Sequence, residues 1–267
     1  MAVDTRHTRI LEALQRRGGY ASVEELATAL AVTPQTVRRD VADMAERGLL
    51  RRHHGGASLP STIANTDYAH RHVEHAREKA EIARAAAVLV PDGSSVFLAL
   101  GTTAEATAAA LAATHRDLVV VTNSVAAAHI LGAAPGMRVN LLGGRWQARN
   151  SGLAGVTTVE MVGRWHCDTC VLGIGGITQD GWLLDYHEDE VAVVRAMQAN
   201  ATRLIVVADR AKFGRVAPHR VAQVKRGDTL VTDQVPSPAH VASLKRLGVG
   251  VLQTDEVHLS GDGSGDC

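Results

Sequence analysis

A winged helix-turn-helix followed by an α/β domain with a mainly parallel open sheet is the fold class that the sequence predicts. Two observations predict it. Between residues 20 and 57, a capped helix, a short turn, a proline-started helix carrying Arg38-Arg39, and a basic strand with a glycine turn follow one another. From about residue 78, apolar runs of strand length alternate with helical stretches and end in glycine or hydroxyl residues.

The elements can be justified in chain order. Ile10, Leu11 and Leu14 mark a first helix before Gly18. Ser22 is placed to cap a second, with Val23, Leu26, Ala27 and Leu30 at helical spacing and Glu24 and Glu25 in the first turn. Ala31-Val32 is a tight connection. Thr33 can cap the third helix, and Pro34 sits at its first position, where a missing N–H costs nothing. Val37, Val41 and Met44 form one apolar stripe, so Gln35, Arg39 and Ala42 point outward, with Thr36, Arg38 and Asp43 on the shoulders. Gly48 is expected to end that helix, and Leu49-Leu50 to re-enter the core. Arg51-Arg52-His53-His54-Gly55-Gly56 reads as a basic wing.

A major groove accepts such an outward helix face, because Gln and Arg can reach base edges while small residues allow close approach. The expected contacts to double-stranded operator DNA are Thr33, Gln35, Thr36, Arg38, Arg39, Arg51, Arg52, His54 and Gly55. Any helix pair with arginines on a solvated face would present part of this pattern. The ordered set of caps, turn, Arg pair and wing is what points to DNA.

Charge agrees once its distribution is considered. Lys plus Arg and Asp plus Glu are both 28, yet residues 1–57 hold nine Arg against seven acids. The basic footprint is modest, and one winged helix contacts few phosphates, so paired half-sites and a homodimer or homotetramer are expected. With 267 residues, the chain suits a small domain and one of about 200 residues. No run of about 18 apolar residues and no secretory segment stands out, so a cytoplasmic protein without a membrane partner is expected.

Cys167 and Cys170, preceded by His166, invite a metal or redox reading. Asp168 to Gly173 reads as a buried strand, which would put the two sulfurs on opposite faces. No metal and no cofactor are expected, and the tail GDGSGDC with Cys267 reads as disordered. The resulting division is a DNA-binding domain over 1–57, a linker over 58–75 around Pro60, a sensing domain over 76–255, and a tail over 256–267.

In the second domain, strands are expected over Ser95–Leu100, Leu118–Thr122, Arg138–Leu142, Thr169–Gly173, Leu204–Ala208 and Thr229–Thr232. Helices are expected over Glu78–Leu89, Ala104–Ala113, Val125–Leu131, Glu188–Asn200 and Pro238–Leu247. Ligands of open parallel sheets bind at the carboxyl ends of strands. Those ends carry Gly101-Thr102-Thr103, Asn123-Ser124, Gly143-Gly144-Arg145 and Gly175, which can offer amides and hydroxyls to a phosphate. Lys212 and Arg145 are the expected counter-charges, and Glu190 can accept sugar hydroxyls. A single Gly/Thr turn is ordinary in an α/β loop; four at successive strand ends point to a ligand.

These residues carry a resemblance. The first domain resembles that of the DeoR family of bacterial sugar-metabolism transcriptional repressors, on Arg9-Ile10, Val23 to Ala27, Val32-Thr33, Thr36 to Asp40, Gly48 to Arg52 and His54 to Ala57. It continues through Arg71, Glu78-Lys79, Ile82-Ala83, Phe97-Leu98, Gly101 to Thr103, Thr122 to Ser124, Leu142 to Gly144, Asp168, Gly173, Gly175, Gly181, Glu190, Met197, Asp209, Lys212 to Gly214 and Thr232-Asp233. The resemblance implies a C-terminal domain similar to ribose-5-phosphate isomerase, with a phosphorylated sugar or polyol as effector. The chain departs from the family pattern at Ala99 and Ala211, both expected at the ligand mouth. No catalytic residues are assigned: an isomerase-like enzyme would need a positioned general base, and no paired acid/base motif supplies one. A constitutive DNA binder is the remaining alternative, against which the loop set argues.

Overall fold

The computed structural model describes residues 2–16, 20–47, 49–53, 55–58, 68–235 and 237–254, and the chain divides into two compact units at Asp67/Tyr68.

The first unit begins with α1 (Ala2–Arg16), then β1 (Tyr20–Ser22), α2 (Val23–Leu30), α3 (Pro34–Glu46), β2 (Arg51–His53) and β3 (Gly56–Ser58). Local chemistry sets the helix starts. Ser22 Oγ accepts from the Glu25 amide while the Glu25 carboxylate accepts from the Ser22 amide, a reciprocal cap. Ala31 closes α2 in the left-handed region at φ 55°, its N–H reaching back to Ala27 and Thr28. Thr33 caps α3 through the Thr36 amide. The three strands form an antiparallel sheet in the order β1-β3-β2. Ile10, Leu14, Leu26, Val37, Met44 and Leu50 fill the core. Leu49 does not join them; it is 38% exposed, and Leu50 alone turns inward. Gly48 lies outside the described residues.

The second unit opens with α4 (Tyr68–Val73) and α5 (Ala76–Val88). The expected linker over 58–75 is therefore shorter. Tyr68 to Val73 is polar in sequence, but it folds as a helix because its Tyr68, Arg71 and His72 side chains reach buried partners in this unit. There follow β4 (Ser95–Leu98), α6 (Thr102–Thr114), β5 (Val119–Thr122), α7 (Val125–Gly132), β6 (Arg138–Leu141), β7 (Arg145–Gln147), β8 (Gly152–Ala154), α8 (Val156–Val162), β9 (Cys167–Gly173), β10 (Gly176–Ile177), β11 (Trp182–Asp185), α9 (Glu188–Ala199), β12 (Ala201–Val207), β13 (His219–Gln223), β14 (Thr229–Thr232), α10 (Pro238–Leu247) and β15 (Gly250–Gln253).

Seven strands form one parallel sheet in the order β15-β14-β12-β9-β4-β5-β6. The side-chain period of two divides each central strand between two cores. Phe97, Val121, Leu172 and Val206 enter one, and Val96, Leu98, Val120, Val171 and Val207 the other. The chain runs outward from β4 through β5 to β6, then returns to β9 and runs the other way. The switch point lies between β4 and β9, where a parallel sheet opens a crevice at its carboxyl end. A smaller antiparallel sheet, β10-β11-β13, and a hairpin, β7-β8, are additions that the sequence reading did not foresee.

Cys167 and Cys170 are buried free thiols that pack in the same core cluster. The two sulfurs, expected on opposite faces, thus belong to one core, with Cys167 at the start of β9 opposite Ala201. No cluster able to hold a metal ion occurs among the described residues. Burial pushes the Cys167 thiol up to about 11, and that of Cys170 upward as well, so both stay protonated at neutral pH.

Candidate nucleic-acid interface and ligand site

On α3, Val37, Val41 and Met44 are buried, which turns Gln35, Arg38 and Arg39 into solvent. Thr33 and Thr36 stand at the helix start with their hydroxyls 2.9 Å apart, both committed to the cap. Arg38 reaches Glu24 at 3.4 Å across an exposed surface, a weak pair that water and salt screen. In the wing, Arg52 and Gly55 are exposed, and Gly55 turns the chain between β2 and β3 at φ +93°. The Val23 amide donates to Gly55 O at 2.9 Å, fixing the wing to the start of α2. The Arg51 side chain and His54 lie outside the described residues.

One relation was not foreseen. Asp40, buried within α3, accepts a two-pronged pair from Arg6 of α1, with Nε–Oδ2 at 2.5 Å and Nη2–Oδ1 at 2.7 Å. The pair locks the recognition-type helix against α1.

In the second unit, the expected ligand residues gather unevenly. Gly101 stands between β4 and α6 at φ 131°, and an added Cβ there would stand 4.0 Å from Gly173 Cα at the end of β9. Thr102 and Thr103 begin α6, whose first amides receive no side-chain cap. Asn123 is 1% exposed; its Nδ2 donates to Leu153 O at 2.8 Å, while its Oδ1 has no hydrogen-bond partner among the described residues. Ser124 caps α7 and donates to Glu105 at 3.2 Å.

Glu190 and Lys212 sit in a dense charged network. Glu190 accepts from Asn150 and lies 3.7 Å from Arg149. Burial, with the nearby Asp185 charge, raises its carboxyl to about 7. Asn150 in turn accepts from Arg71. Burial, with Arg215 next in weight, lowers Lys212 to about 8. The Lys212 ammonium makes no ion pair or hydrogen bond among the described residues. Burial raises Asp185, while Lys212, Arg71 and Arg215 pull it down.

The other residues are placed differently. Arg145 is exposed and paired with Asp189. The Gly143 amide donates to Met161 Sδ at 3.1 Å, and its carbonyl accepts from Thr158 at 2.8 Å. A Cβ on Gly144 would meet Thr158 at 2.0 Å, so packing requires glycine at that position. The Gly175 amide is taken by Leu184 O, and a Cβ there would stand 2.8 Å from the Tyr186 ring. Ala99 is fully buried in the core and does not open at the ligand mouth as expected; Ala211 is exposed.

Arg71, Glu105, Asn150 and Asp185 were not assigned to the site from sequence. Glu105 is 2% exposed and is met by Tyr68 at 2.8 Å and His72 at 2.9 Å, both from α4. Arg71 and Lys79 had stood out only as positions of resemblance. The Lys79 ammonium is tied to the carbonyls of Arg71 and Glu74, closing the turn after α4.

Comparison with known proteins gives the following. Residues 74–234 match the family model of the DeoR C terminal sensor domain, and residues 6–63 that of the DeoR-like helix-turn-helix domain. The HTH-type transcriptional repressor CsqR of Escherichia coli (strain K12) is 37% identical over 251 residues, 94% of this chain and 95% of the relative. The Glycerol-3-phosphate regulon repressor of the same organism is 40% identical over 231 residues, 86% of this chain and 91% of the relative. Ribose 5 phosphate isomerase A from Neisseria gonorrhoeae superposes with a TM-score of 0.39 at 14% identity, covering 51% of this chain and 53% of that one, a likeness too slight to bear on the site.

Proposed function

The chain belongs to the DeoR family of transcriptional regulators, and from that membership we propose that it represses a carbohydrate-metabolism operon under the control of a phosphorylated sugar or polyol. The observation that carries the effector reading is Lys212, a buried cation near the strand ends whose ammonium makes no ion pair or hydrogen bond among the described residues, with the Asp185 and Asp209 charges acting on it only from a distance. A phosphate would bond the ammonium directly and offset the neighbouring Arg215, Arg71 and Lys79 charges, and charge-assisted bonds are roughly twice as strong as neutral ones. The uncapped start of α6 at Gly101-Thr102-Thr103 favours the same group, because helix amides and the helix dipole attract anions.

The orphan Oδ1 of Asn123 and the carboxyl of Glu190 are suited to hydroxyl donors. The Glycerol-3-phosphate regulon repressor carries glycerol-3-phosphate in its name, which agrees with a small phosphorylated polyol. The effector acts as a ligand and is not turned over. The signal leaves through α4: Arg71 touches the Glu190 network through Asn150, and Tyr68 and His72 hold Glu105 on α6. The regulator works in the cytoplasm as a homodimer or homotetramer, which brings two wings to paired half-sites. No helix among the described residues is long and apolar enough to cross a membrane.

A thermal-shift screen with sugar and polyol phosphates, followed by an isomerase assay on each hit, tests this reading. Stabilisation without turnover is the expected result. Turnover would make the protein an enzyme, and the absence of any shift would remove the effector.

A further inference from the structure

The cleft between α1 and α3 holds a side chain that neither the core nor the base-reading face uses. The cleft has a volume of about 950 Å³ and is lined by Arg6 and His7 of α1 and by residues of α3 that include Gln35, Arg38 and Arg39. His7 is 5% exposed, and among the described residues neither Nδ1 nor Nε2 finds a hydrogen-bond partner. Among the described residues, carboxylates approach Nε2 at 3.7 Å from Asp40 and 3.8 Å from Asp43, beyond hydrogen-bond length. Both already face guanidiniums, Asp40 that of Arg6 and Asp43 that of Arg47 at 3.6 Å. A buried imidazole without a hydrogen bond is costly and calls for a partner from outside.

The cleft opens on the face that a major groove would cover, since Gln35 and Arg39 line it and project from α3. Three guanidiniums, those of Arg6, Arg38 and Arg39, stand against two carboxylates, so the cleft favours an anion. What a duplex brings beside a helix in its groove is the sugar-phosphate strand. We propose that His7, flanked by Arg6 and Arg38, holds one backbone phosphate of the bound duplex, which makes α1 part of the DNA-binding surface. This inference rests on the DNA-binding reading above.

The test uses the full-length protein and a duplex that it selects from a random-sequence library. Failure to select any duplex would sink DNA binding itself, a result distinct from failure of the His7 contact. Affinities are measured for wild type, His7→Phe and His7→Gln, on the selected duplex, on a scrambled one, and on copies with single neutral methylphosphonates. His7→Phe is expected to bind both duplexes about tenfold more weakly, the size of one hydrogen bond to a charged group. His7→Gln, which keeps an N–H donor, recovers most of the loss. One methylphosphonate per half-site weakens wild type but leaves His7→Phe unchanged.

If His7→Phe melts below wild type, the comparison of His7→Gln with wild type across the methylphosphonate series carries the test. Equal affinities for wild type and His7→Phe would overturn the proposal, as would a loss confined to the selected duplex, the mark of a base contact. Inorganic phosphate that raises the melting temperature of wild type but not of His7→Phe, with DNA affinity unchanged, would assign the cleft to a free anion and overturn it too.

Discussion

Asn150 grips both oxygens of Glu190, its Nδ2 lying 2.7 Å from Oε1 and 2.6 Å from Oε2. Both residues are buried, and the other end of the Asn150 amide accepts from Arg71 on α4. A carboxyl at the carboxyl edge of the sheet is thereby joined, through one amide, to the first helix of the sensing unit.

Glu190 should also make stability depend on pH. Burial, and then Asp185, raise it to about 7 from an ordinary 4.5, so the folded chain keeps a proton that the unfolded chain releases. The stabilising contribution is full below the unfolded value and is lost as pH rises through about 7. Glu190→Gln removes that dependence. Denaturant unfolding at pH 5 and pH 8 should show wild type losing about 3 kcal/mol relative to Glu190→Gln across the interval. Parallel profiles would contradict the assignment.

Lys212 predicts a second pH dependence, this time in effector binding. Burial, helped by Arg215, lowers it to about 8, and a bound phosphate would hold the proton on. Affinity is then highest below pH 8 and declines above it. Calorimetric titration with a phosphorylated effector should find about a tenfold loss between pH 7.5 and pH 9 in wild type. Lys212→Arg keeps its charge throughout and should bind with little change over the same range.

Arg39 and Arg52 should fail in different ways. Arg39 lies on the outward face of α3 and Arg52 in β2 of the wing. Arg39→Ala should cost about 1–3 kcal/mol on the operator and relax discrimination at one base position. Arg52→Ala should weaken all sequences alike and lower the salt slope by about one unit per chain. Equal losses on specific and random duplexes for both variants would remove Arg39 from base reading.

Much of this architecture was legible because it is local. Ser22, Thr33 and Pro34 announce helix starts through neighbours three residues away, and Val37, Val41 and Met44 fix a helix face by period alone. The strand-end loops were visible for a similar reason, since Gly101 and Asn123-Ser124 directly follow apolar runs. What escaped is long-range. Arg6 meets Asp40 across 34 residues, and Arg71 meets Asn150 across 79. Neither pairing leaves a periodic trace. Strands of two to five residues, such as β10, β11 and β13, are shorter than any pattern window, and the polar helix α4 resembles a linker until its partners are known. Gly143-Gly144 resembles a phosphate loop in sequence, yet its contacts to Thr158 and Met161 serve the packing of α8.

The central claim is that a phosphorylated effector held by Lys212 controls DNA binding, and one titration tests it most directly. An operator complex is titrated with glycerol 3-phosphate and a panel of sugar phosphates, wild type against Lys212→Ala. Without effector, both proteins are expected to bind the operator equally. An effector that alters the wild-type complex is expected to leave that of Lys212→Ala unchanged. An equal response of the two complexes to the same effector would contradict it.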